Sequence, residues 1–314
     1  MEQSKKCWGK RVKAFFRHAP GKTGKRKDGG KHLKVQLYHE VHDIWPETLT
    51  TIGNMSKRHP FVQILQMAED SAYKNSDKVI SMMPYAGQHM MVHGMEKEKF
   101  IYIPNGIAES EWKGRERIPV GHQAVFEKLK EQQKFIVGYF GGHALSNSLD
   151  VLLACAKRLK DNPKFAFVLA GDGVEKPKLM ETAKRERLEN VWFLDSVAKI
   201  QVPDLLTYFD CIFISTKDSP LYRYGINMNK MFDAMMGGKP IILSVTTKRT
   251  PVEEYQCGYV TKAGEIDKIV KSIMDLACME PECRRKMGEQ GKKAIEENFT
   301  YRKLAGKLEK VWAG

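Results

Sequence analysis

Two stretches of this sequence combine residue types and spacing in a way that could hold a charged ligand. The first is Tyr222-Arg223-Tyr224-Gly225-Ile226-Asn227-Met228-Asn229-Lys230-Met231-Phe232-Asp233, ending at Gly237-Gly238. Lys230 and Asp233 are three apart, so a helix puts them on one face. A cation there suits the phosphates of a nucleoside diphosphate, and a carboxylate suits two ribose hydroxyls. The same spacing describes a surface ion pair, against which stands the density of Gly, Asn and charge beside an apolar helix. The second stretch is Gly141-Gly142-His143-Ala144-Leu145-Ser146-Asn147-Ser148. It joins a strand to a helix whose N-terminus offers N–H donors and a positive dipole to an anion. Asn147 or Ser146 can cap that helix. A tight turn with no ligand remains the alternative, and the spacing does not meet the dinucleotide fingerprint.

Other candidates are weaker. His39-Glu40-Val41-His42-Asp43 is H-E-x-H at a strand end, not the helical H-E-x-x-H of zinc enzymes. A histidine positioned by Asp43 is its functional reading, and a structural histidine the other. Gly21-Lys22-Thr23 lacks a P-loop's first glycine, since Phe16 stands in its place. Glu69 and Asp77 read as helix surface and cap.

The elements that must position these residues alternate regularly in the second part of the chain. Strands are expected at 135–140, 165–170, 191–194, 211–215, 240–243 and 258–260, with helices at about 147–159, up to 187, 228–236, 265–278, 281–297 and on to Trp312. Short, nearly continuous apolar strands between helices imply a parallel sheet buried on both faces. Ligands of such sheets sit at the strand C-terminal ends, where Gly141, Gly142, Gly171, Asp172, Gly173, Asp195 and Asp218 fall. In the first part, strands are expected at 33–41, 78–82 and 100–103, with helices at 61–76, on apolar positions Ile64, Leu65, Ala68 and Ala72, and 85–93. Met1 to Phe16 reads as a basic helix, so only about three strands are available, few for a freestanding doubly wound domain. Turn chemistry at Pro104-Asn105-Gly106 marks the boundary. The domains expected are 1–107, with a basic loop over 20–34, and 108–297, followed by a last helix over 298–314 returning toward the first.

Composition agrees with about two globular domains: 314 residues, 42% hydrophobic and 29% charged. No apolar run is long enough to cross a membrane as a helix, and the basic N-terminus lacks the apolar core of a signal peptide. None of the six cysteines forms a C-x-x-C pair, and several lie in apolar runs, as buried free thiols do. The net charge is +14, of which +10 lies between Met1 and Lys34. That basic stretch is either a solvated loop or attracted to an anionic membrane surface or phosphorylated lipid. Nucleic acid is not expected, because aromatic residues are sparse around it.

A series of segments, taken in order, resembles family 4 glycosyltransferases: His42-Asp43-Ile44-Trp45-Pro46-Glu47, His59-Pro60-Phe61, Ala68-Glu69, Ser76-Asp77-Lys78-Val79-Ile80-Ser81, Ile103-Pro104-Asn105-Gly106, Gly141-Gly142, Leu169-Ala170-Gly171-Asp172-Gly173, Asn190-Val191-Trp192-Phe193-Leu194 and Asn229-Lys230-Met231-Phe232-Asp233-Ala234-Met235. Within that family the segments resemble bacterial enzymes of surface-polysaccharide assembly, of the N-acetyl-L-fucosamine transferase type. The resemblance runs from about Lys34 to the C-terminus. It implies an α/β fold of the GT-B type, two Rossmann-like domains facing across a cleft. It implies a hexosyl or N-acetylaminosugar transferase acting with retention, no cofactor and no metal, with a nucleotide-sugar donor that is UDP-linked in preference to GDP-linked. A glycan or lipid-linked acceptor, a role in polysaccharide biosynthesis, and a cytoplasmic location, peripheral at the inner face of the membrane, follow in the same way.

Carried over by position, Asp233 matches the ribose-binding second acid of the family's E-x7-E signature. Lys230 would face the diphosphate with Gly141 and Gly142. Asn147, Asp172 and Asn229 join the donor set, and Asn190 to Asp195 would flank the base. Tyr224, Gly225 and Ile226 would give backbone donors to the sugar, and His42 matches the acceptor-side histidine. The chain departs from the pattern twice. Gly225 stands where the first acid should, with Asp218 the nearest acid upstream. The family's opening strand, glycine-rich loop and first βαβ units, roughly 80 to 100 residues by proportion, are missing, so the first domain is expected to be incomplete. Two other readings stay open: a non-catalytic or truncated nucleotide-sugar-binding protein, and a UDP-N-acetylglucosamine 2-epimerase-like enzyme on the same fold.

Overall fold

The computed structural model describes residues 36–312 with their side chains, and the backbone of 14–17 and 313. The basic loop over 20–34 lies outside the described residues. The chain divides into two compact units, one of residues 1–104 with 219–226, the other of 105–218 with 227–314.

In the first unit a four-stranded parallel sheet runs in the order β1 (Ala14–Arg17), β2 (Leu37–Val41), β3 (Lys78–Ser81), β4 (Phe100–Tyr102). Helices α1 (Glu47–Thr51), α2 (Pro60–Asn75) and α3 (Gly87–Val92) connect these strands. Strand β1 corrects the expected basic helix over 14–16: Ala14 pairs with Leu37 and Arg17 with Glu40. Four residues are too few for a period of two to stand out among the surrounding lysines and arginines. Helix α2 starts with Pro60 at its first turn and His59 as cap, whose Nδ1 accepts from the Phe61 amide at 3.2 Å. Its inward stripe is Val62, Leu65, Glu69 and Tyr73. The expected face is therefore rotated: Ile64 is exposed, and Glu69, read as helix surface, is 1% accessible. Counting apolar residues alone misses a stripe that contains a carboxylate.

The second unit holds a six-stranded parallel sheet, preceded by α4 (Glu109–Lys113) and α5 (Val120–Glu131). Its elements are β5 (Phe135–Phe140), α6 (Leu149–Arg158), β6 (Phe165–Ala170), α7 (Lys176–Arg185), β7 (Val191–Leu194), α8 (Val202–Thr207), β8 (Cys211–Ser215), α9 (Asn229–Met236), β9 (Ile241–Ser244), α10 (Pro251–Glu254), β10 (Gly258–Thr261), α11 (Ile266–Cys278), α12 (Pro281–Ala294) and α13 (Tyr301–Ala313). Every residue of β5, β6 and β8 is buried, as their unbroken apolar sequences require of central parallel strands. Helices α6 and α11 cover one face with Leu149, Leu152, Leu153, Ile269, Ile273 and Leu276. Each such side chain contributes about 1.5–3 kcal/mol by leaving water. Cys155, Cys211 and Cys257 are buried free thiols, as expected, and burial pushes the Cys155 thiol up to about 12. No helix among the described residues is long and apolar enough to cross a membrane.

Strand order fixes where a ligand can enter the second unit. The sheet reads β10-β9-β8-β5-β6-β7. From β5 the chain proceeds outward through β6 to β7, and from β8 the opposite way through β9 to β10. The topological switch therefore lies between β5 and β8, and a crevice opens at their C-terminal ends.

Candidate functional site

The loop after β5 is tied to that switch by backbone and side-chain bonds. Ser215 Oγ, at the end of β8, donates to the Asn147 carbonyl at 2.5 Å, and Lys217 N–H donates to the Ser146 carbonyl at 3.0 Å. Ser148 takes a left-handed conformation (φ 42°) before α6. On its other side the loop meets the one after β6. His143 N–H donates to the Asp172 carbonyl at 2.7 Å, and Glu175 N–H to the His143 carbonyl at 3.0 Å. The two loops approach so closely at Gly141 and Gly171 that a Cβ on Gly171 would lie 1.9 Å from the Gly141 carbonyl oxygen. Only glycine permits this approach.

Lys230, in the first turn of α9, closes a ring of hydrogen bonds with this loop. Its Nζ donates to Tyr139 Oη at 2.8 Å and to Asn147 Oδ1 at 2.9 Å. Tyr139 Oη donates in turn to the Gly142 carbonyl at 2.6 Å, and Asn147 Nδ2 donates to the same oxygen at 2.8 Å. The ring fixes the loop and the ammonium together. No carboxylate pairs with Lys230 among the described residues, and burial lowers its pKa to about 8. A buried ammonium with only neutral partners attracts a polyanion, because the anion removes the cost of its desolvation.

Gly141 and Gly142 differ in what they can offer. The Gly141 N–H donates to the Ala170 carbonyl at 3.0 Å, so it continues the sheet. Of the two glycines expected at the diphosphate, Gly141 therefore has no amide to give a phosphate. A Cβ on Gly142 would meet nothing within 4 Å, which makes its Cα the point of close approach for a ligand.

The remaining residues expected in the donor set occupy distinct places. Asp233 is 4% accessible on α9 and is gripped by Lys199, whose Nζ lies 2.5 and 2.6 Å from its two oxygens. Burial raises its pKa, and the Lys199 ammonium opposes that rise. Asp195 is exposed and pairs with Lys176 at 3.0 Å, which holds its carboxyl below the usual range. Asp172 Oδ1 accepts from the Gly173 amide at 2.8 Å. Asn229 Oδ1 accepts from Asn105 Nδ2 at 2.8 Å. Asn190 is buried, and its Nδ2 donates to the Ala156 carbonyl at 2.9 Å, a packing role.

Tyr224, Gly225 and Ile226 fold with the first unit. Tyr224 Oη donates to Glu47 Oε2 at 2.5 Å and accepts from Arg223 at 2.7 Å. The Gly225 N–H closes its own turn on the Tyr222 carbonyl at 2.9 Å. His42 Nε2 lies 3.0 Å from Glu40 Oε1. The partner is Glu40 and not Asp43, because residues two apart on an extended chain project to the same side.

Three residues near Lys230 and Asp233 carry no motif of their own: Tyr139, Lys199 and His143. His143 is fully buried, with neither ring nitrogen hydrogen-bonded. Its ring stacks on Tyr139 at 5.7 Å, and burial, then Lys176, lowers its pKa to about 4. A histidine held neutral beside a strand-end loop is suited to contact a neutral ring or hydroxyl. Its signal in the sequence was its place directly after Gly142. A cavity of about 470 Å³ lies between α6 and α7, lined by Leu145, Leu149, Leu153, Lys157, Leu179 and Glu186. Neither Lys230 nor Asp233 lines it.

Comparison with known proteins adds a family. The family model described as glycosyl transferases group 1 matches residues 122–294. Among curated proteins, none matches the chain by sequence. Solved structures do match by fold. HepE of Anabaena, determined with UDP, is 17% identical over 91% of this chain and 74% of its own, with a TM-score of 0.70. Sucrose-phosphate synthase of Thermosynechococcus elongatus is 15% identical over 91% and 70%, with a TM-score of 0.66. WaaG, a glycosyltransferase involved in lipopolysaccharide biosynthesis, is 12% identical over 98% and 92%, with a TM-score of 0.65.

Proposed function

The chain belongs to the group 1 glycosyl transferases and has their α/β fold of the GT-B type; from that premise we propose that it moves a hexosyl or N-acetylaminosugar residue from a UDP-linked donor, with retention, to a glycan or lipid-linked acceptor. The observation that carries this reading is the ring of hydrogen bonds that sets the Lys230 ammonium beside the open Cα of Gly142 at the switch point. UDP is preferred over GDP because HepE has been determined with UDP and with UDP-glucose. A part in polysaccharide assembly and an association with the inner membrane face belong to the same proposal.

In this mechanism Lys230 and the Gly142 amide stabilise the departing diphosphate by charge fixed in place before the reaction. No metal is needed for that step, and the leaving phosphate takes the acceptor proton. Asp233 holds the ribose hydroxyls, which displace Lys199 from its two oxygens.

The experiment is incubation with labelled UDP-sugars and lipid extracts, followed by product analysis. Label moving to an extractable acceptor with its anomeric configuration kept supports transfer. Epimerised sugar without an acceptor would mean an epimerase-like enzyme, and intact donor despite UDP binding would mean a non-catalytic protein.

A pH dependence follows from Lys230. In the free protein its pKa is about 8, and a bound diphosphate raises it. Below pH 8 the ammonium is charged in both states, and affinity for a UDP-sugar, whose diphosphate stays ionised throughout, is flat. Above pH 8 the free form loses its proton first, so binding must recover one. Affinity is then expected to fall up to about tenfold per pH unit. Calorimetry with UDP-glucose in buffers of different ionisation enthalpy should show proton uptake above pH 8 and none at pH 6.5.

A further inference from the structure

A cluster in the first unit takes no part in the transfer chemistry and holds the chain's densest set of metal-ligating side chains among the described residues. Glu69 on α2 and His89 and His93 at α3 bring one ligand atom each to within 4.8 Å of one another. The two histidines are four apart, one turn of helix, with ring centroids 4.4 Å apart.

The hydrogen-bond pattern leaves one of these nitrogens bare. Tyr224 Oη gives its proton to Glu47 Oε2 at 2.5 Å, so toward His89 Nδ1, 3.1 Å away, it presents an acceptor. His89 therefore carries its proton on Nδ1, and Nε2 bears the lone pair. That Nε2 is buried, has no hydrogen-bond partner, and faces Glu69 Oε1 at 3.5 Å. A lone pair facing a carboxylate oxygen is repulsive unless a cation lies between them.

The carboxylate has the same deficit. Glu69 is 1% accessible, and no lysine or arginine pairs with it among the described residues. Its hydrogen bonds come from Tyr73 Oη at 2.8 Å and Gln66 Nε2 at 2.8 Å, both neutral donors. An unpaired buried carboxylate is costly. Beside it, Gln66 Nε2 also lies 2.7 Å from Asp70 Oδ1 and 2.9 Å from His93 Nδ1. Its two hydrogens serve the Glu69 and Asp70 carboxylates, and His93 Nδ1, 2.8 Å from Asp70 Oδ1, is partnered by that same carboxylate. The bare His89 Nε2, the Glu69 carboxylate held only by neutral donors, and the neighbouring His93 imidazole thus converge on a point that a single divalent ion would satisfy.

We propose that Glu69, His89 and His93 form a structural zinc site in the first unit, with Asp70 or a water as fourth ligand. Two imidazoles and a carboxylate select zinc over calcium or magnesium, which take oxygen ligands. In a tetrahedral site with ligands about 2.0–2.1 Å from the metal, donor atoms lie about 3.3 Å apart, so the cluster contracts around the ion and Gln66 swings out. The outer shell is already built: the His89 Nδ1–H points to Tyr224 and Glu47, the arrangement that fixes a ligating histidine's tautomer. Through Tyr224 the ion would tie α2 and α3 to segment 219–226.

The test uses the full chain, stripped with a chelator, incubated with zinc sulfate and desalted. Elemental analysis should find one zinc per chain, and cobalt(II) in its place should give the intense visible absorption of a tetrahedral nitrogen and oxygen site. His93 is partly exposed at the helix end, so His93→Ala should fold normally by circular dichroism. It should lower zinc affinity at least about 10- to 100-fold, and Glu69→Gln should do likewise. His122→Ala, in the second unit, should retain zinc. No zinc retained by the wild-type chain, or equal retention in the wild-type, H93A and E69Q proteins, overturns the site.

Discussion

Lys230→Ala is expected to lower UDP affinity about 10- to 100-fold, as befits loss of a charge-assisted hydrogen bond worth about 1.5–3 kcal/mol, and to cut sugar transfer about 100- to 1000-fold. The two effects differ in size because charge accumulates on the leaving diphosphate as the bond breaks. Removing Lys230 also takes one donor from Tyr139 Oη and one from Asn147 Oδ1, while both residues still donate to the Gly142 carbonyl. Stability should change little or rise slightly at neutral pH, since the change deletes a buried ammonium whose pKa is already depressed by burial. Titration of UDP into both proteins by calorimetry checks the binding part. The variant should also lose the fall in affinity above pH 8, which separates loss of this ammonium from a general loosening of the loop. Equal UDP affinity in both proteins would remove Lys230 from the site.

Gly171→Ala should be the most damaging single methyl group in the second unit's ligand loops. Its Cβ would lie 1.9 Å from the Gly141 carbonyl oxygen, a backbone atom that cannot rotate away. The loops after β5 and β6 must part to admit it, which breaks the bond from the Gly171 amide to the Leu194 carbonyl or shifts Gly141. A loss of about 2–5 kcal/mol is expected, read as a lower midpoint in denaturant, with UDP binding lost as well. Gly142→Ala is the contrasting case. Its Cβ meets nothing within 4 Å, so the fold should be unaffected and only UDP affinity should fall. If both variants were equally stable, the close approach of the two loops would play no part in holding the site.

Much of the second unit was legible because its chemistry repeats. Strands at 135–140, 165–170, 191–194 and 211–215 have the bounds read from the sequence. Each is an unbroken apolar run ended by glycine or a polar residue. Helix α5 went unread because only Phe126 and Leu129 of its twelve residues are buried, too few to show a period among the charges. The face of α2 was misread because a buried carboxylate does not register as a core position. At the site, Lys230 and Asp233 could be picked out by residue type and spacing. Their partners could not: Tyr139 is 91 positions from Lys230 and Lys199 is 34 from Asp233, and neither lies in a recognisable motif. Whether Gly141 or Gly142 keeps its amide free is decided by the register of β5 on β6, which only the folded sheet supplies.

The most direct test of the account is a crystal structure of the protein with UDP bound. The diphosphate is expected within about 2.7–3.1 Å of Lys230 Nζ, beside the Gly142 Cα, with the ribose at Asp233 and Lys199 displaced from both carboxylate oxygens. UDP seated instead in the cavity between α6 and α7, with the ring of Lys230, Tyr139, Gly142 and Asn147 untouched, would contradict it.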